Sequence, residues 1–254
     1  MKLNYKTFGE GEPLIILHGL LGTLDNWQTL GKRFAQQYSV YLVDQRNHGR
    51  SPHLPEMNYP VLAEDLKQFM ESNWIYRSHI IGHSMGGKTA MQFALDYPDM
   101  LDKLVVVDIA PKGYEPAHEI IFEALLSVDF TRVIERSEAD AVLKEKIADR
   151  SIRQFLLKNL SRNKDGGYRW KMNLEALHEH YHRILEPVSG DHPYEGPVLF
   201  IRGGQSDYMF DEDREAILKL FPQASIETVQ GAGHWVHAEQ PAEMARLITA
   251  FLQD

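Results

Sequence analysis

Residues His79–Asp96 read HIIGHSMGGKTAMQFALD, and this stretch decides the fold. An apolar run, His79–Ile81, stops at Gly82. Gly82-His83-Ser84-Met85-Gly86 then matches G-x-S-x-G, and a helix-compatible segment, Gly87–Asp96, follows at once. As a bare string the motif is weak, since about one random chain in a dozen of this length would contain it. Its context is specific. A serine on a sharp strand-to-helix turn needs small neighbours on both sides, and the helix that follows turns its N-terminus toward any negative charge developing at that serine.

Outward from that stretch, short apolar runs alternate with helical patterns. The runs are Pro13–Leu17, Val40–Val43, Leu104–Val107, Val198–Ile201 and Ser225–Val229, and the helical stretches are Asn26–Gln37, Tyr59–Ser72 and Asp211–Leu220. Runs rich in β-branched residues and free of charge fit strands buried on both faces of a parallel sheet. The alternation predicts a mostly parallel central sheet flanked by helices, an α/β architecture. Leu3–Phe8, ahead of Gly9-Glu10-Gly11, reads as an antiparallel edge strand. From Pro111 to Glu195 the rhythm breaks into helical patterns with a hairpin expected at Asp165-Gly166-Gly167. The expected organisation is a core made of residues 1–110 and 196–254, with a helical cap, 111–195, inserted between two core strands. Open α/β sheets bind ligands at the carboxyl ends of their strands, so the cap would roof the site.

The chemistry-bearing residues fall at those carboxyl ends. Ser84 is the candidate nucleophile. His18-Gly19-Leu20-Leu21-Gly22 follows the first core strand; a turn there can offer Leu20 N–H, with Met85 N–H, to an oxyanion, while His18 supports the turn and His83 packs behind the nucleophile. His234, in Gln230-Gly231-Ala232-Gly233-His234-Trp235, follows the last core strand and completes the order serine, acid, histidine; Trp235 joins Leu20, Met85 and His18 as a candidate substrate-side residue. Two aspartates lie at strand ends between Ser84 and His234: Asp108 and Asp207. Either could hold the imidazole in its working tautomer, the other serving the loops structurally.

The set LHGLLG, VDQRNHGRS, GHSMGG, DIAP, RGGQSD and GAGHWVHAE resembles the α/β-hydrolase superfamily, and within it the bacterial esterases similar to YbfF, over nearly the whole chain. The resemblance implies an eight-strand-type sheet, a helical cap, and cleavage of acyl esters, including acyl-CoA thioesters, without metal or organic cofactor. In that subgroup the acid comes from the DIAP strand, here Asp108. Most of the superfamily uses the position of Asp207.

Composition narrows the alternatives. The 254 residues contain no cysteine, which removes disulfides, thiolate metal sites and a cysteine nucleophile together. A formal charge of −9 argues against a nucleic-acid partner. No apolar run reaches the roughly 20 residues of a membrane span, and no secretory leader is recognised, so the expected location is cytoplasmic. The oligomeric state leaves no trace in the sequence. The partner expected is a small acyl ester or thioester; Arg150, Arg153, Lys158, Arg162, Lys164, Arg169 and Lys171, against the single acid Asp165, form a basic stretch that could draw an anionic leaving group such as coenzyme A. One rival motif belongs to another class. His178-Glu179-His180-Tyr181-His182 matches H-E-x-x-H, which on a continuous helix would place His178 and His182 on one face for zinc, with Glu179 as base of a peptidase.

Overall fold

The computed structural model describes residues 1–164 and 166–254. The expected strands form. They are β1 (Tyr5–Phe8), β2 (Glu12–Leu17), β3 (Tyr38–Val43), β4 (Ser78–His83), β5 (Leu101–Val107), a short hairpin of β6 (Leu160–Arg162) and β7 (Tyr168–Trp170), β8 (Val198–Gly203) and β9 (Ala224–Val229). The helices are α1 (Gln28–Phe34), α2 (Tyr59–Ser72), α3 (Met85–Asp96), α4 (Glu119–Leu126), α5 (Arg136–Lys144), α6 (Arg150–Leu156), α7 (Leu174–Glu179), α8 (Tyr181–Leu185), α9 (Arg214–Leu220), α10 (Val236–Glu239) and α11 (Pro241–Gln253).

The central sheet runs β1-β3-β2-β4-β5-β8-β9. All its pairings are parallel except β1 against β3, so β1 is the antiparallel edge strand the sequence predicted. The sheet has seven strands among the described residues, not the eight the resemblance implied. Among the described residues the second edge of β1, with Lys6 and Thr7 exposed, carries no partner strand.

Every residue of β4 is buried, as the charge-free run required. One face of the sheet packs against α2 and α3 through Ile80, Val106, Leu66 and Phe93; the other packs against α1 and α11 through Ile81, Val105, Leu30 and Ile248. A third apolar cluster joins Leu21, Tyr59 and Met85 to Phe122, Leu157 and Trp170 of the segment between β5 and β8. That segment holds α4 to α8 and the β6–β7 hairpin. Asp165, at the tip of the expected turn, lies outside the described residues; the strands on either side pair antiparallel. Among the described residues no helix is long and apolar enough to cross a membrane.

Candidate active site

Ser84 sits between β4 and α3 with φ 52° and ψ −119°, a region that side chains other than glycine rarely occupy. The sequence permits the turn because its neighbours are glycines. A Cβ on Gly82 would stand 2.2 Å from Gly86 O, and one on Gly86 would stand 2.5 Å from His18 O. The tight approach presses the start of α3 against the end of β2 and brings the Gly19 turn beside Ser84: a Cβ on Gly19 would be 3.2 Å from Ser84 Cβ.

Ser84 Oγ lies 3.1 Å from His234 Nε2, and His234 Nδ1 lies 2.7 Å from Asp108 Oδ2. With Nδ1–H donating to the carboxylate, Nε2 presents its lone pair to the serine hydroxyl. Asp108 is fully buried at the end of β5 with φ 53°, a left-handed conformation that aspartate tolerates better than most residues. Its other lone pairs are filled by Gly203 N–H at 2.8 Å and by the Ser206 hydroxyl. The Tyr208 ring stacks on the His234 imidazole at 3.8 Å and 17°.

Asp207, the second candidate acid, does not meet His234. It is exposed, and the turn after β8 points the Ser206 hydroxyl, one residue earlier, at Asp108 instead. The loop amide at Gly203, which a structural acid would bind, is taken by Asp108 itself. Asp108 therefore makes both sets of contacts that the sequence divided between two aspartates.

Of the remaining histidines of the region, His83 and His18 are tied to backbone. His83 Nε2–H donates to His234 O at 2.9 Å. Burial first, and then His237 and His234 nearby, hold His83 well below the usual imidazole range. His237 stacks on Trp27 at 4.5 Å and is pulled down to about 3 by burial and by His234. His118, within 3.4 Å of the Tyr208 hydroxyl, is pulled down to about 4, again mainly by burial. His18 Nδ1–H donates to Gly19 O at 2.9 Å, and its Nε2 accepts Gln45 N–H at 3.1 Å, the support for the turn that the sequence assigned to it. Leu20 N–H and Met85 N–H have no acceptor inside the protein among the described residues.

Two cavities open on Ser84. The smaller, ≈210 Å³, is lined by His234, Trp235, Trp27, Ile152 and Phe155. The larger, ≈370 Å³, is lined by Met85, Ile109, Tyr59, Tyr114 and Ile184, with Lys88 in its wall. Leu20, Ala117, His118 and Tyr208 line both. Lys88 is buried; it donates to Glu186 O at 2.6 Å and lies 4.7 Å from the Tyr114 ring, and burial pulls its ammonium down to about 7. Trp235, expected on the substrate side, lies in the smaller cavity 5.4 Å from Phe155. Sequence reasoning missed Ser206, Tyr208 and His118. The first two adjoin Asp207 in RGGQSD and Tyr, so the loop was visible but not which of its side chains turned inward.

The rival zinc motif loses its geometry. The helix breaks at His180, which ends α7 and precedes α8, so His178 and His182 do not share one continuous helical face. His178 packs 5.1 Å from Phe122, and among the described residues no group of three His, Asp or Glu is arranged to hold a metal ion. The basic stretch is also weaker than its composition implied. Arg153 is buried and bonded to Asp140, Ile147 O and Ala148 O. Lys171 turns back onto Lys158 O. None of the stretch's seven basic side chains lines either cavity at Ser84, although Ile152 and Phe155 of the same stretch line the smaller one.

Comparison with known proteins agrees with this fold. Residues 12–134 match a family profile described as the alpha/beta hydrolase fold. The chain is 38% identical to esterase YbfF of Escherichia coli, over 95% of this chain and 93% of that protein. It is 39% identical to the sn-1-specific diacylglycerol lipase ABHD11 of Mus musculus, over 94% of this chain and 80% of that one. A solved structure titled as a marine microorganism esterase superposes with a TM-score of 0.96 at 44% identity, covering 98% of this chain and 99% of that one. With strand order, turn geometry and relatives in agreement over nearly its full length, the chain belongs to the α/β-hydrolase family, in the group that contains the esterase YbfF.

Proposed function

We propose that the protein is a serine hydrolase that cleaves carboxylic esters through an acyl-enzyme on Ser84. The observation that carries this reading is the hydrogen-bonded line Asp108–His234–Ser84, ending on a serine held at φ 52° beside two apolar cavities. His234 Nε2 takes the Ser84 proton as Oγ adds to the ester carbonyl, and Leu20 N–H and Met85 N–H receive the oxyanion. The imidazolium, steadied by Asp108, then protonates the leaving alcohol. Water repeats the sequence and frees the acid. Every group in this cycle is a side chain or backbone amide of this chain.

The leaving oxygen must come within reach of His234, which lines the smaller cavity and not the larger. The alcohol portion accordingly belongs in the smaller cavity and the acyl chain in the larger, with residues 111–195 acting as a cap over both. Relatives named as esterases and as a diacylglycerol lipase act on substrates of this bond type. Acyl thioesters, coenzyme A esters among them, follow the same route, since the attack and the oxyanion are common to both. Their recognition rests on the cavities, because none of the seven basic side chains lines them.

Treatment with a fluorophosphonate probe followed by peptide mapping tests the reading. The expected result is a single label on the peptide containing Ser84, with ester turnover lost in proportion. Label elsewhere, or turnover surviving full labelling, would overturn it.

A further inference from the structure

The turn that supplies Leu20 N–H is braced by residues the proposed reaction does not use. Gly19 O accepts from His18 Nδ1–H and from Gly22 N–H at 3.0 Å. In a trans peptide the carbonyl and the following amide point opposite ways, so this bracing leaves Leu20 N–H turned away from both donors. The next residue, Leu21, is buried with φ 58°, a conformation a leucine does not keep without outside support. That support comes from two sides. Leu21 N–H donates to His48 Nε2 at 3.1 Å, and Leu21 O accepts Asn159 Nδ2–H at 2.7 Å.

Both partners are themselves fixed. His48, in the RNHG stretch, is fully buried, and its Nδ1–H donates to Arg46 O at 2.9 Å, which leaves Nε2 as the acceptor. Burial pulls His48 down to about 3, so it keeps that lone pair at any working pH. Arg46 in turn is held by Asp65 at 2.8 Å. Asn159 lies in the segment between β5 and β8, between α6 and β6; it is buried, and its backbone carbonyl accepts Lys171 N–H at 2.8 Å.

We infer that His48 and Asn159 are positioning residues for the oxyanion donor: they clamp Leu21 at its amide and its carbonyl and so aim Leu20 N–H at the site of Ser84. Asn159 reaches Leu21 from residues 111–195, so the donor is aligned only while that segment is seated. The inference rests on the serine-hydrolase reading above.

The test uses His48→Phe, Asn159→Leu and the double variant, with kcat and KM for a neutral aryl ester. It also uses the inhibition constant of a trifluoromethyl ketone, which adds to a serine as an oxyanion. Each single change is expected to lower kcat about 10²-fold, on the scale of a misplaced or missing oxyanion donor, with KM nearly constant. The ketone's inhibition constant should rise by a similar factor. The double variant should fall far short of the product of the singles, because both act on one residue. His48→Gln, which restores an acceptor, should recover part of the loss. Circular dichroism checks folding. If His48→Phe fails to fold, Asn159→Leu decides alone, since the amide and the isobutyl group are close in size. Folded variants with unchanged kcat, or with lowered kcat and unchanged ketone affinity, would overturn the clamp. A Ser84→Ala control separates the two claims: if it is inactive while the clamp variants are normal, only the clamp fails, whereas an active Ser84→Ala defeats both.

Discussion

At the scale of single residues the account turns on which carboxylate faces His234. A carboxylate in that place matters as the imidazolium forms, and asparagine keeps its shape while favouring the wrong tautomer, a change worth about 10⁴ in kcat in a well-studied serine protease. Asp108→Asn is expected to show a loss of that order with KM little changed. Asp207→Asn, at an exposed position without a bond to His234, should stay within about threefold of wild type, as most surface changes do. Comparing both in one ester assay checks this, and a large loss at Asp207 alone would contradict the geometry. His237 gives a second test. Its ring stacks on Trp27, and its Nδ1 has no hydrogen-bond partner among the described residues. His237→Phe keeps a ring against Trp27 and removes a group the native state holds unprotonated, so its urea midpoint should fall less than that of wild type as pH drops from 6.5 to 5. An identical fall would show that His237 is not protonated on unfolding in that range. Ser84 and His234 were legible because each stands on a glycine-bounded strand end. The acid was not, because two aspartates satisfy the same rule and only the turn after β8 decides which carboxylate is enclosed. Tyr208 stacks on His234 and His118 meets the Tyr208 hydroxyl from another part of the chain, and no local pattern marks either.

At the scale of elements the β-branched runs located every core strand within a few residues, most plainly β4, buried throughout and free of charge, while the edge strand β9 alternates and carries Glu227. The C-terminal helix α11 was passed over, although Met244, Ala245, Ile248 and Leu252 form its buried stripe and Pro241 stands at its start. The opposite error attended H-E-x-x-H, where spacing alone implied a helix that breaks at His180. His182→Ala is therefore expected to leave ester turnover within about twofold of wild type, the range of ordinary surface changes. Turnover that disappears with a chelator and returns with Zn²⁺ would restore the metal reading.

At the scale of the whole molecule the mostly parallel sheet and its antiparallel edge strand followed from the alternation of runs, whereas the order of the strands within the sheet did not. Nor did the strand count, because the resemblance lent it and the residues did not supply it. The buried histidines have a global consequence. His48 and His237 are held near 3 and His118 near 4, against 6.5 for a free imidazole. Below pH 6.5 the unfolded chain binds protons that the native chain refuses, so stability falls as pH drops toward 4. Each such histidine contributes about 1.4 kcal/mol per pH unit in that window. Urea midpoints should decline steadily from pH 6.5 to 4.5, and a flat profile down to pH 5 would contradict this.

The central claim is that Ser84 is the nucleophile, and its most direct measurement is the turnover number of Ser84→Ala with a simple aryl ester, in protein shown to be folded by circular dichroism. The account predicts a loss of about 10⁶-fold in kcat, the scale seen when a serine protease loses its nucleophile. Turnover near the wild-type value in folded Ser84→Ala would contradict it.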